Sequence, residues 1–355
     1  MKILLYSDIH ISRTSSILPL NSSNPKYTYR QNMILELGKY LADIADKYTP
    51  DLIINLGDTF DNHTLTSYDI DVASEFFKCF EHINIPHLVI VGNHEMINQD
   101  FNAIRILNNI TNIRVISQSC SIDTNDLVLG KSLESLQLAF LPYCDYKDIL
   151  EFPTGQLLFS HIDIAGSSIR KNVVLPTGIE QTTLKNNYKL IFNGHIHKPS
   201  IMQNIINVGS TTTHSFSDDE DSVPQCYIYD TETNDLQIFK PTCCPLFRKC
   251  NISTLQELTE YVDNLDSNYK YILHITCPYE IKEDVKVYIR DNDKVLNQRL
   301  NLKITQKEEQ LKQQQEKLND VHLNEDVIKS FNDFLDTTEL KYPKELYSQV
   351  LNEEV

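Results

Sequence analysis

The chain has 355 residues, beyond the roughly 250–300 at which one hydrophobic core stops growing, so a main domain with at least one appendage is expected. Its formal charge of −17 argues against a protein that grips nucleic acid unaided, because phosphate binding is driven by Lys and Arg displacing counterions. No run approaches the roughly 18 apolar residues of a membrane helix, Met1-Lys2-Ile3-Leu4 enters a strand instead of a signal peptide, and the eight cysteines lack zinc-knuckle spacing. These features predict a cytoplasmic protein (the host's cytoplasm if the source is viral) with reduced thiols and no membrane partner.

Five apolar runs of strand length (Ile3 to Tyr6, Leu52 to Leu56, Leu88 to Val91, Leu157 to Phe159 and Leu190 to Phe192) each end in a polar cluster. The clusters are Asp8-Ile9-His10, Gly57-Asp58-Thr59-Phe60-Asp61, Gly92-Asn93-His94-Glu95, Ser160-His161 and Gly194-His195-Ile196-His197. After the first comes a polar loop, Ser12 to Lys26, and then a helix with Met33, Leu37, Leu41, Ile44 and Tyr48 at helical spacing, closed by Pro50. A second helix, capped at Thr66 or Ser67, carries Val72, Phe76, Phe80 and Ile83. Asp100 is the expected cap of a short helix through Ile104 and Leu107, with strands following near Arg114 to Ile116 and Leu136 to Leu141.

Three strands without intervening helices (Ile205 to Val208, Gln225 to Tyr229, Leu236 to Phe239) suggest a second sheet packed face to face on the first, which makes the fold an α/β/β/α four-layer sandwich. Past Pro241 a helix near Leu255 to Leu265 and strands Tyr271 to Thr276 and Val285 to Ile289 read as a small α+β cap. Residues 306–355 hold six Lys against twelve Asp plus Glu; Leu311 and Leu318, then Ile328, Phe331, Phe334 and Leu335, form helical stripes there. The predicted boundaries are 1–242 for the main domain, 243–304 for the cap and 305–355 for a C-terminal helical segment.

Asp, Asn and His appear repeatedly at strand C-termini, the edge at which open α/β sheets bind ligands. This donor set suits divalent ions of the Mn, Fe and Zn group, and the lack of thiolates at these positions disfavours a purely structural zinc site. Two ions roughly 3.5–4 Å apart under a shared carboxylate can acidify water and clamp both oxygens of an in-line phosphate displacement. The spacing therefore predicts a phosphoesterase.

In order along residues 1 to 240, Asp-x-His, Gly-Asp-x-Phe-Asp, Gly-Asn-His-Glu, a lone His after a strand and Gly-His-x-His resemble the calcineurin-like metallophosphoesterase signature. Within that superfamily the chain looks most like SbcD-type nuclease subunits: Phe60 precedes Asp61 with no Arg-Gly after it, both final histidines are kept, and Asn207-Val208-Gly209-Ser210 is followed by Ser215-Phe216. The resemblance implies that Asp8, His10 and His197 hold one ion and Asn93, His161 and His195 a second, with Asp58 bridging. It implies Mn²⁺ at both positions, His94 facing the scissile phosphate, and Asp61 orienting His94. Glu95 departs from the Asp of the nuclease group and matches Ser/Thr phosphoprotein phosphatases. Those phosphatases, however, carry an Arg soon after the second cluster and lack the Gly-His-x-His pair.

The implied function is exonuclease and endonuclease activity on DNA, with an SbcC-type ABC ATPase bound through the C-terminal helices and supplying much of the DNA grip. A homodimer through the early helices follows by analogy. Lys26, Arg30, Arg105, Arg170, Lys171 and Lys198 are candidate phosphate contacts, with Tyr27 and Tyr29 for stacking; Arg30, Arg105 and Lys198 head that set. The histidines His63, His82, His87, His214, His274 and His322 match no motif and read as surface or core residues. Competing functions are a phosphodiesterase or phosphatase with non-DNA substrates, suggested by Gly92 to Glu95 and the acidic charge, and a non-catalytic scaffold joining an ATPase dimer.

Overall fold

The computed structural model describes residues 1–13, 26–98, 101–110, 112–127, 135–145, 149, 151–216 and 222–303. In chain order these form β1 (Lys2–Tyr6), α1 (Tyr29–Tyr48), β2 (Leu52–Asn55), α2 (Ser67–Lys78), β3 (His87–Ile90), β4 (Ile113–Ile116), β5 (Cys120–Asp123), α3 (Thr124–Leu127), β6 (Gln137–Leu141) and β7 (Leu157–Ser160). There follow β8 (Ser168–Arg170), β9 (Val173–Val174), α4 (Gln181–Asn187), β10 (Leu190–Asn193), β11 (Ser200–Met202), β12 (Ile205–Asn207), β13 (Cys226–Asp230) and β14 (Leu236–Phe239). The described chain ends with β15 (Leu246–Asn251), α5 (Leu255–Asp263), β16 (Tyr271–Pro278), α6 (Lys282–Arg290) and β17 (Val295–Lys303). Met1–Cys277 and Ile281–Asn301 make up one compact unit; Pro278–Glu280 and Leu302–Val355 belong to a second. The expected C-terminal helices, at 305–355, and the expected Asp100 cap lie outside the described residues.

One sheet has the order β14-β13-β1-β2-β3-β4 and the other β11-β12-β10-β7-β6-β5. Strands β1 to β4 are mutually parallel, as are β6, β7, β10 and β12. Such strands are buried on both faces, which is why their sequences are nearly continuous apolar runs. Successive side chains on a strand point to opposite faces. Ile3 and Leu5 therefore share one apolar layer with Phe140, Phe159 and Phe192 of the other sheet, whereas Leu4 and Tyr6 pack against Leu37 and Leu41 of α1 and Phe76 of α2. Leu158 and Ile191 pack with Leu184 of α4 on the far side. Three apolar layers between four layers of structure are the α/β/β/α order anticipated above.

Helix α1 starts on a capping box, in which the Thr28 hydroxyl accepts from the Gln31 N–H and the Gln31 side chain accepts from the Thr28 N–H. It stops at Thr49, which is left-handed (φ 46°) and precedes Pro50. Thr66 caps α2 in the same way with Asp69. The helix near Leu107 is a 3₁₀ segment, Ala103–Asn109, preceded by Asn102, whose side chain makes no capping hydrogen bond.

Two expectations about the later strands are corrected. Only β12 of the three-strand run joins the second sheet; β13 pairs antiparallel with β1, and β14 with β13, so the run extends the first sheet. Val285 to Ile289 lies in helix α6. The alternation Val-Lys-Val-Tyr-Ile imitates a strand, but Val285 and Ile289 are the buried pair, four residues apart, and Val287 is 48% exposed. Strands β15, β16 and β17 form a separate sheet, with β15 parallel to β16 and Phe247 and Ile272 at its core.

Candidate metal centre

The five polar clusters leave the C-terminal ends of β1, β2, β3, β7 and β10, all at the edge where the parallel strands finish. Asp8, His10, Asp58 and His195 have φ values of 54°, 45°, 49° and 68°. Left-handed backbone costs a non-glycine residue roughly 1–2 kcal/mol, and four such residues at one site indicate geometry enforced by their surroundings. Hydrogen bonds supply that enforcement. The Asp8 N–H donates to the Gly57 carbonyl (3.0 Å), the His10 N–H to the Asp58 carbonyl (3.0 Å) and the Ile11 N–H to the Thr59 carbonyl (2.7 Å). Gly57 has a φ of 110°, and a Cβ there would collide with the His161 ring; one at Gly92 would collide with Asp58 Oδ1. Gly92 is thus needed for close approach, without a positive φ.

Each imidazole with a resolved outer bond turns one nitrogen away from the centre and the other into it. His161 Nδ1–H donates to the Leu56 carbonyl (2.7 Å), and His195 Nε2–H donates to Asp163 Oδ1 (2.9 Å). His94 Nδ1–H donates to the Asp61 carbonyl (2.8 Å), and His10 Nδ1 lies 3.3 Å from Asp61 Oδ1. Outer partners of this kind fix the tautomer and leave the inner nitrogen as a lone-pair donor.

Those inner atoms converge. Asn93 Oδ1 is 3.1 Å from His161 Nε2 and 2.9 Å from His195 Nδ1, and Asp58 Oδ2 is 3.2 Å from His161 Nε2. Asp58 Oδ2 is also 3.7 Å from His10 Nε2 and 4.0 Å from His94 Nε2, while Asp8 Oδ1 is 3.7 Å from His197 Nε2. The Ser7 hydroxyl donates to Asp8 Oδ2, but Asp8 Oδ1 and His10 Nε2 are buried with no hydrogen-bond partner. A buried unpaired polar atom costs roughly 1–3 kcal/mol, and converging acceptors repel unless a cation or proton lies between them. The donor set fits divalent cations.

The protonation equilibria follow the same geometry. Burial opposes the charge on Asp58, but His161, with help from His10 and His94, outweighs it and holds the carboxyl far below its ordinary range. Burial also opposes charge on His161, yet Asp58 dominates and pushes the imidazole up to about 9. Glu95 is wholly buried, with Oε1 accepting from the Phe60 N–H and Oε2 from the Gly92 N–H (both 2.8 Å). It ties the loop bearing Asp58 to the loop bearing Asn93. Burial and the Asp58 charge push it up to about 8, and cations at the centre would draw it down again.

The structure brings together all seven residues named from sequence, Asp8, His10, Asp58, Asn93, His161, His195 and His197, with His94 beside them. Asp61 is present in a different role. Its carboxylate faces His10, and only its main-chain carbonyl holds His94. Arg30 is corrected outright as a DNA contact. It is 4% exposed and donates to the carbonyls of Ile9 (3.2 Å), His10 (2.9 Å) and Thr213 (3.1 Å), because a buried guanidinium needs acceptors for its five donors. Tyr27 is likewise turned inward, donating to Asp71 Oδ2 (2.7 Å). Arg105 is exposed over the Phe101 ring, and Lys198 lines a surface cavity with Lys240.

Two residues at the centre carried no motif signal. His214 sits with its ring centroid 4.4 Å from that of His10 and 4.6 Å from that of His197, and its Nε2 is 3.1 Å from the Asp8 carbonyl. Its only marker was its place between Ser210 and Phe216. Asp163, two residues after His161, is the outer partner of His195, 32 positions away, a pairing that no local pattern reports.

Residues 1–199, which contain every cluster of the centre, match the family model for calcineurin-like phosphoesterases. The chain is similar to the Escherichia phage T5 protein named "Probable exonuclease subunit 1", at 24% identity over 314 residues that cover 86% of each chain. It is also similar to the DNA double-strand break repair protein Mre11 of Saccharolobus solfataricus, at 32% identity over 95 residues, 27% of this chain and 23% of that one. With more than half its length matched and the complete donor set at one strand edge, the chain belongs to the calcineurin-like phosphoesterase family, whose members are metal-dependent phosphoesterases.

Proposed function

We propose that the protein is the nuclease subunit of an SbcCD-type recombination and repair complex, hydrolysing DNA phosphodiester bonds as an exonuclease and endonuclease. The observation that carries the metal chemistry is the convergence of four side-chain atoms: Asp58 Oδ2 and Asn93 Oδ1 lie 3.2 and 3.1 Å from His161 Nε2, and Asn93 Oδ1 lies 2.9 Å from His195 Nδ1. The likeness to a phage exonuclease subunit and to a double-strand break repair protein supports DNA as the substrate. Asp8, His10 and His197 would hold one Mn²⁺ and Asn93, His161 and His195 the other, with Asp58 reaching both. When bound, such a pair supplies a more acidic attacking water and charge neutralisation on phosphate.

His94 is 39% exposed in its side chain, anchored through Nδ1 and free to present Nε2 to a phosphate at the centre. It would stabilise charge there or protonate the leaving oxygen. The proposal extends to the division into 1–242, 243–304 and 305–355, to an SbcC-type ABC ATPase on the last segment, and to Lys198 and Arg105 as phosphate contacts. Lys198 and Lys240 on one cavity, with Arg248 beside His197 in another, offset the acidic balance locally.

Purified protein should degrade linear DNA with Mn²⁺ and lose the activity in chelator, with the suspected ATPase increasing the rate. Hydrolysis of cyclic nucleotides or phosphopeptides with linear DNA left intact, with and without the ATPase, would overturn the proposal.

A further inference from the structure

We infer that a cavity beside the Asn93, His161 and His195 face of the centre receives one unpaired nucleobase of the strand being cut, an inference that rests on the nuclease reading above. The cavity has a volume of about 440 Å³, within the roughly 300–1,000 Å³ typical of small-molecule sites. It shares a wall with the metal centre. Val91 and Tyr143 line it and are joined by the Tyr143 N–H donating to the Val91 carbonyl (3.0 Å). Val91 runs directly into Gly92-Asn93, and the Tyr143 ring centroid is 5.7 Å from that of His195 and 6.4 Å from that of His161. A nucleotide whose phosphate sits at the centre therefore has its base within reach of this space.

The lining selects the kind of group that enters. Leu141, Pro142, Ile149 and the Met96 thioether provide apolar surface, and the Tyr143 phenol provides a ring face. Asn98, Asn102 and Gln118 add carboxamides, and Ser117 and Ser119 add hydroxyls. Among the described residues no cation lines the cavity, and Glu151 does, so this lining favours a neutral group over a phosphate. A flat, neutral heteroaromatic ring with hydrogen-bonding edges satisfies both parts: its faces lie on apolar and aromatic groups, and its edges meet the carboxamides. Asn102 is 6% exposed and its Oδ1 has no hydrogen-bond partner; rotation about χ2 brings that acceptor to a base edge.

A base that enters a pocket in the protein surface gives up its pairing partner. The base must leave its stack, at lower cost where the strand is frayed or already single. The subsite thus favours strand ends and single-stranded junctions over intact duplex.

The test compares thymidine 5′-(4-nitrophenyl) phosphate with bis(4-nitrophenyl) phosphate, a diester without a base, using the full chain with Mn²⁺. Ser117 and Ser119 are exposed on the cavity rim, so Ser117→Trp and Ser119→Trp fill the space without disturbing the core. The ratio of kcat/KM for the nucleoside ester to that for the base-free ester should fall about tenfold or more in either variant, as loss of one stacked base predicts. An unchanged ratio in both variants overturns the subsite. If the parent protein hydrolyses neither diester, it is the nuclease reading that fails. The cavity is then judged by equilibrium dialysis with Mn²⁺: thymidine 5′-monophosphate should bind more tightly than ribose 5-phosphate, with the preference lost in Ser117→Trp, and equal binding of the two overturns it.

Discussion

Asp163 Oδ1 accepts a 2.9 Å hydrogen bond from His195 Nε2–H, while Nδ1 of the same ring lies 2.9 Å from Asn93 Oδ1. A carboxylate behind an imidazole fixes the tautomer and strengthens the inner nitrogen as a donor. The bond to His195 also holds Asp163 below the usual carboxylate range. Asp163→Ala should weaken binding of the second Mn²⁺ by about 10–100-fold, the usual cost of losing an outer partner. Asp163→Asn keeps an acceptor oxygen and should lose less. Isothermal titration of Mn²⁺ into the three proteins measures this, and equal affinities would remove Asp163 from the centre.

Asp58 and His94 should separate metal binding from turnover. Among the described residues Asp58 Oδ2 is the one carboxylate oxygen within 4.0 Å of His10, His94 and His161, so Asp58→Ala should abolish cleavage together with most Mn²⁺ binding. His94→Ala should keep both ions and lose about 10²–10⁴-fold in kcat, the range for one acid–base or charge-stabilising group. Asp61→Ala should behave like neither. Its main-chain carbonyl still holds His94, so the loss falls on His10 and hence on Mn²⁺ affinity, leaving the pH profile of kcat in place. A shifted pH profile in Asp61→Ala would return the carboxylate to His94.

Arg30 closes the Asp8 to His10 loop from below. Its guanidinium spans the carbonyls of Ile9, His10 and Thr213, and Nη2 lies 3.3 Å from His214 Nδ1. Nδ1 must accept from an arginine, so His214 carries its proton on Nε2, which faces the Asp8 carbonyl (3.1 Å). Arg30→Ala leaves buried carbonyls unpaired and should destabilise the fold by roughly 2–4 kcal/mol, since each such loss costs about 1–3 kcal/mol. Urea unfolding reads that loss. A fall in DNA affinity at unchanged stability would instead restore Arg30 as a phosphate contact.

What could be read from the chain follows from how local each cause is. Asp8, Asp58, Asn93, His161, His195 and His197 stand at the ends of buried strands, so a run of apolar residues followed by a donor already encodes place and chemistry together. Arg30 lies in the first turn of α1, ahead of that helix's apolar stripe, and reads as surface. Its burial depends on Thr213, 183 positions away, which no local pattern reports. His214 reaches the centre only because the Ser210 hydroxyl and the Thr211 N–H bond the Asp8 and Ser7 carbonyls and so draw the segment inward. The β13 strand has the composition of any interior strand, and its partner is decided by which edge of β1 is open, a tertiary fact.

His87 gives the fold an acid-sensitive point away from the metals. It is 2% exposed at the start of β3, edge-on to Phe77 and Phe80, and its Nε2 lies 2.9 Å from the Tyr6 hydroxyl. Burial alone lowers its pKa to about 3. The unfolded chain binds this proton near pH 6.5 and the folded chain does not. Stability from the neutral ring is therefore complete above about pH 6.5 and declines as pH falls towards 3, by roughly 1.4 kcal/mol per unit within that window. His87→Phe removes the titrating group from an aromatic pocket and should flatten this part of the curve, although the Tyr6 hydroxyl loses its partner and the variant starts lower at pH 7. Urea unfolding of both proteins in chelator at pH 7, 6, 5 and 4 measures the two slopes, and parallel slopes would assign the acid loss to other groups.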